Sequence, residues 1–223
     1  LVTLKFLHTA PGIAINMATN TQLIGQGVST VIKLKDNNDL GDVVILRASS
    51  TPRVAISSLK IDGNQANQSS SQTAVYLSDS SSSTISELEV VNVDNYGADV
   101  NNSTDVLVIN NKHIYGINVF LSSRIRIKNN NIAGIDIDGS SDVEVASNNI
   151  SENWDGIAAY NSSQLSIQNN TMWASADSAL YFENITYSNV ANNVISNTGK
   201  GVTLTEESMY NVISSNQLSN LSA

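Results

Sequence analysis

SSRIRIKNNNIAGIDIDGSSDVEVASNNISENWDGIAAYNSSQLSIQNNTM, residues 122–172, decides how this chain folds. One phrase, apolar–x–x–Asn–x–apolar, is written in it three times: Ile127–Asn130–Ile132, Val145–Asn148–Ile150 and Ile167–Asn170–Met172. Working outward, Val190–Asn193–Ile195 and Ile213–Asn216–Leu218 continue it. A looser copy, Val108–Asn111, precedes it, with His113 in the last slot and Ile114 one residue late. The copies are 19, 18, 22, 23 and 23 residues apart. A second phrase, small–apolar–x–apolar, follows each of the first five copies, beginning at Gly116, Gly134, Gly156, Ala179 and Gly201. Its steps are 18, 22, 23 and 22, in phase with the first. Two unrelated patterns share one irregular beat.

Self-similarity at such a period marks a repeat architecture, in which each unit buries its apolar face only by stacking on its neighbours. Apolar residues alternate at period two (Val106/Val108, Ile125/Ile127, Val143/Val145), which is the strand signal. The strands are too short for a sandwich, and each repeat holds at least two of them. The expected unit is a coil of strand, tight turn, strand and looser turn, climbing roughly 4.8 Å per coil, with parallel pairing one repeat away. Asn suits the turn because it tolerates the left-handed conformation, and stacked amides can bond one another in a ladder. Gly at the head of the second phrase suits a tight corner.

The phrases of residues 122–172 resemble the right-handed parallel β-helix repeats of the pectate-lyase-like superfamily, and most closely the carbohydrate-binding and sugar-hydrolase repeats. The resemblance covers nearly the whole chain and implies an all-β, single-stranded right-handed parallel β-helix with coils of about 18–23 residues. It speaks to fold far more than to activity. The run Gln22–Gly27 followed by Ser29–Ile32 is similar to the opening coils of β-helix enzymes and tail-spike proteins, and Val54–Asn64 resembles a common coil of the family.

A chain of 223 residues, 41% hydrophobic, supports one long core, expected as a single β-helix domain over 1–223. Within it, 1–34 reads as opening coils or a cap, 35–100 as irregular coils and 101–223 as regular ones. Leu1–Leu7 reads as a strand or a short covering helix. The start at Leu1 and the stop of the repeat after Leu218 are expected of a piece of a longer polypeptide. Cysteine is absent, so no disulfide contributes. No run of about 18 apolar residues spans a membrane. A net charge of −9 argues against nucleic acid, and an anionic polymer would need a bridging cation such as Ca²⁺. Eight Asn-x-Ser/Thr sites permit glycosylation, although 30 Asn among many Ser and Thr generate about that number by composition. The acidic turn 36–42 lacks the glycine and distal Glu of a calcium loop.

Residues between inward apolar positions point outward and stack in columns. Beside the second phrase they run Asp99, Asn118, Asp136, Ala158, Tyr181, Thr203, and, two residues on, Asn101, Phe120, Asp138, Tyr160, Glu183, Thr205. The insertions SENWD and WASAD bring Trp154, Asp155, Trp173 and Asp177 beside them, and Asp155 and Asp177, 22 residues apart, are expected to stack. Aromatic faces take pyranose rings and carboxylates bond hydroxyls or hold Ca²⁺. Trp154, Asp155, Tyr160, Trp173, Asp177, Tyr181 and Glu183 are therefore the expected sugar contacts. Asp136 and Asp138, about 6.5–7 Å apart along one strand, have the spacing of an acid and base in inverting hydrolysis; outward Asp residues equally serve as solubilising groups. Of the superfamily's catalytic motifs only Arg126-Ile127-Lys128 has a match, inside a repeat that generates it freely. His8 and His113 lie 105 residues apart and suggest no zinc site or nucleophile relay.

Two functions stay open. One is a secreted or cell-surface β-helix that binds a polysaccharide or cell-surface glycan and, as a lyase or glycoside hydrolase, processes it. The other is a non-catalytic structural or adhesive subunit that assembles as a homo-oligomer or filament.

Overall fold

The computed structural model describes residues 12–36, 42–151 and 153–222. Alternating Ile, Val and Leu make strands of two to seven residues, which wind into a parallel β-helix with three sheets. The first sheet has nine strands, from Ile13–Asn16 through Ile135–Asp138 and Ile157–Tyr160 to Lys200–Thr205. The second also has nine, from Gln22–Ile24 through Ser123–Lys128 to Val212–Ser214. The third is split: three strands end at Glu89–Val91, and five run from Asn131–Ile132 to Gln217–Ser219. From Asn131 onward each coil thus has three strands, the third being the short one made by the last residues of the Asn phrase.

Register follows the repeat. Ile117 pairs with Ile135, Ile135 with Ile157, and Ile157 with Leu180 on the first sheet. Val108, Ile127, Val145, Ile167 and Val190 stack on the second, and Ile132, Ile150, Met172 and Ile195 on the third. All are essentially fully buried, and burying each such side chain stabilises the fold by about 1.5–3 kcal/mol. Steps of 18–23 residues hold from Val75 onward, but the two earlier steps are longer: Ile13 pairs with Val44 and Val43 with Gln72, 31 and 29 residues on. The extra length goes into connections such as the single turn of 3₁₀ helix Gln65–Asn67, which leave the strand register untouched. Leu1–Leu7, His8 and residues 37–41 of the acidic turn lie outside the described residues.

Asparagine does a different job from the one its turn propensity suggests. The left-handed residues at the corner between second and third sheets are Asn110, Asn129, Ser147, Asn169, Asn192 and Ser215, each one position before the phrase Asn. The phrase Asn points inward instead. Asn130 Nδ2 donates to Asn148 Oδ1 (3.0 Å) and to Val108 O (2.9 Å), while its Oδ1 accepts from Asn111 Nδ2 and Asn111 N–H (both 2.9 Å). The same four bonds recur at Asn148, Asn170 and Asn193. Every hydrogen-bonding site of these buried amides is satisfied. A serine column closes the corner between the first and second sheets: Ser103, Ser122, Ser140 and Ser162 each accept a backbone N–H from the coil before. The glycines heading the second phrase have ordinary negative φ, so tight torsion is not their reason. They make room: a Cβ on Gly156 would stand 2.7 Å from Ala179 O, and one on Gly134 would overlap the Asn153 amide.

Candidate functional site

The outer face of the first sheet carries the columns expected from the sequence. Tyr76, Asp99, Asn118, Asp136, Ala158, Tyr181 and Thr203 form one, and Ser78, Asn101, Phe120, Asp138, Tyr160, Glu183 and Thr205 the other. Pairing in parallel register forces this, because like positions of successive coils must lie side by side. The first column also extends back to Arg47, whose guanidinium sits 6.0 Å from the Tyr76 ring centre. Its enclosed Nε meets no hydrogen-bond acceptor among the described residues.

At the centre, Asp136, Asp155, Tyr160, Tyr181 and Glu183 are close enough to act on one another electrostatically. Asp136 is half-buried against Tyr96, whose hydroxyl donates to its Oδ2 at 3.1 Å. Burial pushes the Asp136 carboxyl above its ordinary pKa; the Tyr96 hydrogen bond pulls it back, and the Asp155 charge pushes it up again. The same contact, after burial, lifts the Tyr96 phenol to about 12. Asp155 is also raised by burial, offset by the Ser178 N–H on its Oδ1 (2.9 Å), with Asp177 raising and Lys200 lowering it. Burial raises Asp99 too, opposed by Asn118 and Asn101 amides at 2.7 and 2.6 Å. Burial and then the Asp155 and Asp136 charges raise the Tyr160 phenol. Its ring meets Tyr181 at 5.8 Å, tilted 48°, and Tyr181 OH donates to Glu183 Oε2 at 2.9 Å. Asp138 lies beside Tyr160 in register and accepts from Asn161 Nδ2 at 3.2 Å.

The two insertions form the rim. Asp177 N–H bonds Trp154 O at 2.8 Å, which in parallel pairing sets Asp177 beside Asp155, and Ser178 N–H bonds the Asp155 carboxylate. The step from Gly156 to Ala179 is 23 residues, so Ser178 is the extra residue between the Asp155–Asp177 level and the Gly156–Ala179 level. Asp177 pairs with Lys200 at 2.9 Å. Trp154 is 70% exposed on the rim. Trp173 ends a third-sheet strand, and its Nε1 reaches Asn149 Oδ1 at 3.3 Å across the outer surface of that sheet, beyond the corner from the tyrosines. Arg126 and Lys128 lie on the second sheet, ion-paired with Asp142 and Glu144. Sequence reasoning missed Tyr96, Arg47 and Lys200; Tyr96 precedes a strand, and nothing in its local pattern announces that its hydroxyl reaches a carboxylate 40 residues on. Two partly buried carboxyls with raised pKa beside aromatic rings are suited to moving protons and to holding a polyhydroxylated ring.

Residues 95–222 match the sequence model of the family described as periplasmic copper-binding protein (NosD). The chain belongs to the NosD family. No curated protein sequence matches it significantly. Among solved structures, the A-module of the Azotobacter vinelandii mannuronan C-5 epimerase AlgE6 superposes with TM-score 0.55 at 15% identity, over 92% of this chain and 85% of that one. An alginate lyase from Paenibacillus sp. str. FPU-7 gives 0.53 at 15% identity, over 95% and 92%. The Dettilon tailspike protein gives 0.60 at 10% identity, over 91% of this chain and 54% of its own. At such identities these likenesses show the fold alone, a pectate-lyase-like parallel β-helix, right-handed as in NosD.

The family description raises copper, and the donors among the described residues do not fit a resident copper ion. Copper takes thiolate, thioether and imidazole ligands. Cysteine is absent, Met17 and Met172 are buried in the core, and Met209 is half exposed. His113 is the single described histidine. Among the described residues no three His, Cys, Asp or Glu side chains converge to hold a metal ion, which applies equally to the Ca²⁺ that an acidic face suggests.

Proposed function

We propose that this NosD-family chain acts outside the cytoplasm as a polysaccharide-binding β-helix, with the glycan lying along the outer face of the first sheet. The observation that carries this is the tilted Tyr160–Tyr181 pair standing over Asp136, Asp155 and Glu183. Rings supply faces for the CH surface of pyranoses, and the carboxylates accept from their hydroxyls. The names of the structural relatives, an epimerase of mannuronan, a lyase of alginate and a phage tailspike, support the substrate class. The periplasmic label of the family supports the location. An acidic face favours neutral sugar units over uronates in direct contact.

Binding and turnover on a polysaccharide array, in Ca²⁺ and in EDTA, test the reading. Tyr181→Ala and Trp154→Ala should weaken binding about tenfold each, the loss of one stacking contact of about 1.4 kcal/mol. Trp173→Ala should change it little, and EDTA should not abolish it. Processing as a hydrolase or lyase is the finer proposal: Asp136 is the proton donor, with Asp138 or Asp155 as its partner. Asp136→Asn should then remove turnover while keeping binding. A folded parent that binds nothing on the array overturns the proposal.

A further inference from the structure

The third sheet is interrupted once among the described residues. Between Glu89–Val91 and Asn131–Ile132 the chain passes through Asn111–Ile114 with single bridges only, Glu89 to Lys112 and Ile114 to Ile132. The cause is one extra residue. Asn111 stacks on Asn130 and Ile114 on Ile132, so a three-residue step faces a two-residue step and His113 is pushed outward as a bulge. Its backbone is left-handed, φ 57°, a conformation that a bulky side chain keeps only where its surroundings impose it. Bulges of this kind re-aim a side chain.

Two recesses flank the bulge and share His113 and Asn131. One, of about 220 Å³, has Val93 and Ile132 on its floor and Asn92, Tyr115 and Ser151 at its rim. The other, of about 380 Å³, is bordered by Lys112, Asn129 and Asn149. The nearby carboxylates are already engaged. Glu89 is bound by Lys60 at 2.6 Å, and Asp62 takes the Asn92 amide and the Asn64 N–H, both at 2.9 Å, with Lys33 at 3.3 Å. Glu89 acts on Lys112 and His113 electrostatically, but Lys60 holds that carboxylate and Lys112 forms no ion pair of its own among the described residues.

We propose that this bulge is a second binding site, which takes one carboxylate-bearing sugar unit. The ring sits in the smaller recess with its CH face on the apolar floor. Asn131, Asn92 Oδ1 and the Tyr115 and Ser151 hydroxyls meet the ring hydroxyls, and the carboxylate crosses His113 toward Lys112. The cation selects charge where the first-sheet face repels it, so the two faces divide a mixed polymer between them: neutral units on the first sheet, an acidic unit here. The site lies on a different sheet from the tyrosine pair and stands whether or not that face binds.

The chain has two histidines, so the His113 imidazole can be followed by NMR while the protein is titrated with glucuronate, glucose and acetate. His113→Gly assigns its signals. A saturating shift with glucuronate is expected, with glucose and acetate at least about tenfold weaker, and Lys112→Ala should weaken glucuronate about tenfold. His113→Gly, freed of the left-handed penalty, should keep or raise Tm while losing glucuronate binding measured by calorimetry. Absence of a saturating shift, equal affinity for acetate or glucose, or an unchanged affinity in Lys112→Ala overturns the proposal.

Discussion

A single buried amide shows how strongly one residue is tied to the coil. Asn148 accepts from Asn130 N–H and Nδ2 and donates to Ile127 O and Asn170 Oδ1. Asn148→Ala strands these partners in a dry interior and should cost about 3 kcal/mol or more. Asn216→Ala, at a partly exposed position, should cost well under half as much; urea unfolding of the two variants checks the difference. Asp136 gives a pH prediction. Its pKa is raised in the folded state, so its carboxylate destabilises the fold. That penalty is absent below the unfolded value near 3.8 and is fully present once pH exceeds the raised folded value. Asp136→Asn should therefore gain stability relative to the parent at neutral pH and not at pH 3. Tyr96→Phe removes the bond that favours the carboxylate and should raise the Asp136 pKa further, read by carboxyl-carbon NMR titration.

At the scale of the element, the sequence declared the second-phrase strands and the phrase Asn residues clearly, because both repeat in one beat. It did not declare the third strand of each coil: Asn149–Ser151 and Thr171–Trp173 are too short to show a period of their own. Nor did it reveal which Asn bends the chain, since neighbours such as Asn129 and Asn130 are the same residue type with opposite jobs. Gly156 is a test of how closely coils approach. Gly156→Ala places a Cβ 2.7 Å from the Ala179 carbonyl, which belongs to the backbone and has little freedom to move. It should lower stability by about 1–3 kcal/mol and, by parting the coils that hold Asp155 and Tyr181, weaken glycan binding as well. Thermal unfolding and the array measurement read the two effects together.

For the molecule as a whole, the exposed apolar side chains of the last described coil lead to one expectation: purified chain should show concentration-dependent association by light scattering. Replacing Leu218 and Ile213 with Ser should abolish it without unfolding the earlier coils, because each coil contacts only its neighbours. The sequence by itself determined the β-helix, the inward Ile and Val stacks and the two outward columns with Asp136, Asp138, Tyr160, Tyr181 and Glu183. All of these follow from a repeat whose period fixes which residues lie side by side. Only the tertiary structure decided that Tyr96 holds Asp136, that Trp173 turns onto another face, that Asp155 takes the Ser178 N–H, and that one extra residue at His113 opens the third sheet. Those outcomes depend on insertions and side-chain reach between coils, where no repeat constrains the chain and packing alone chooses the direction.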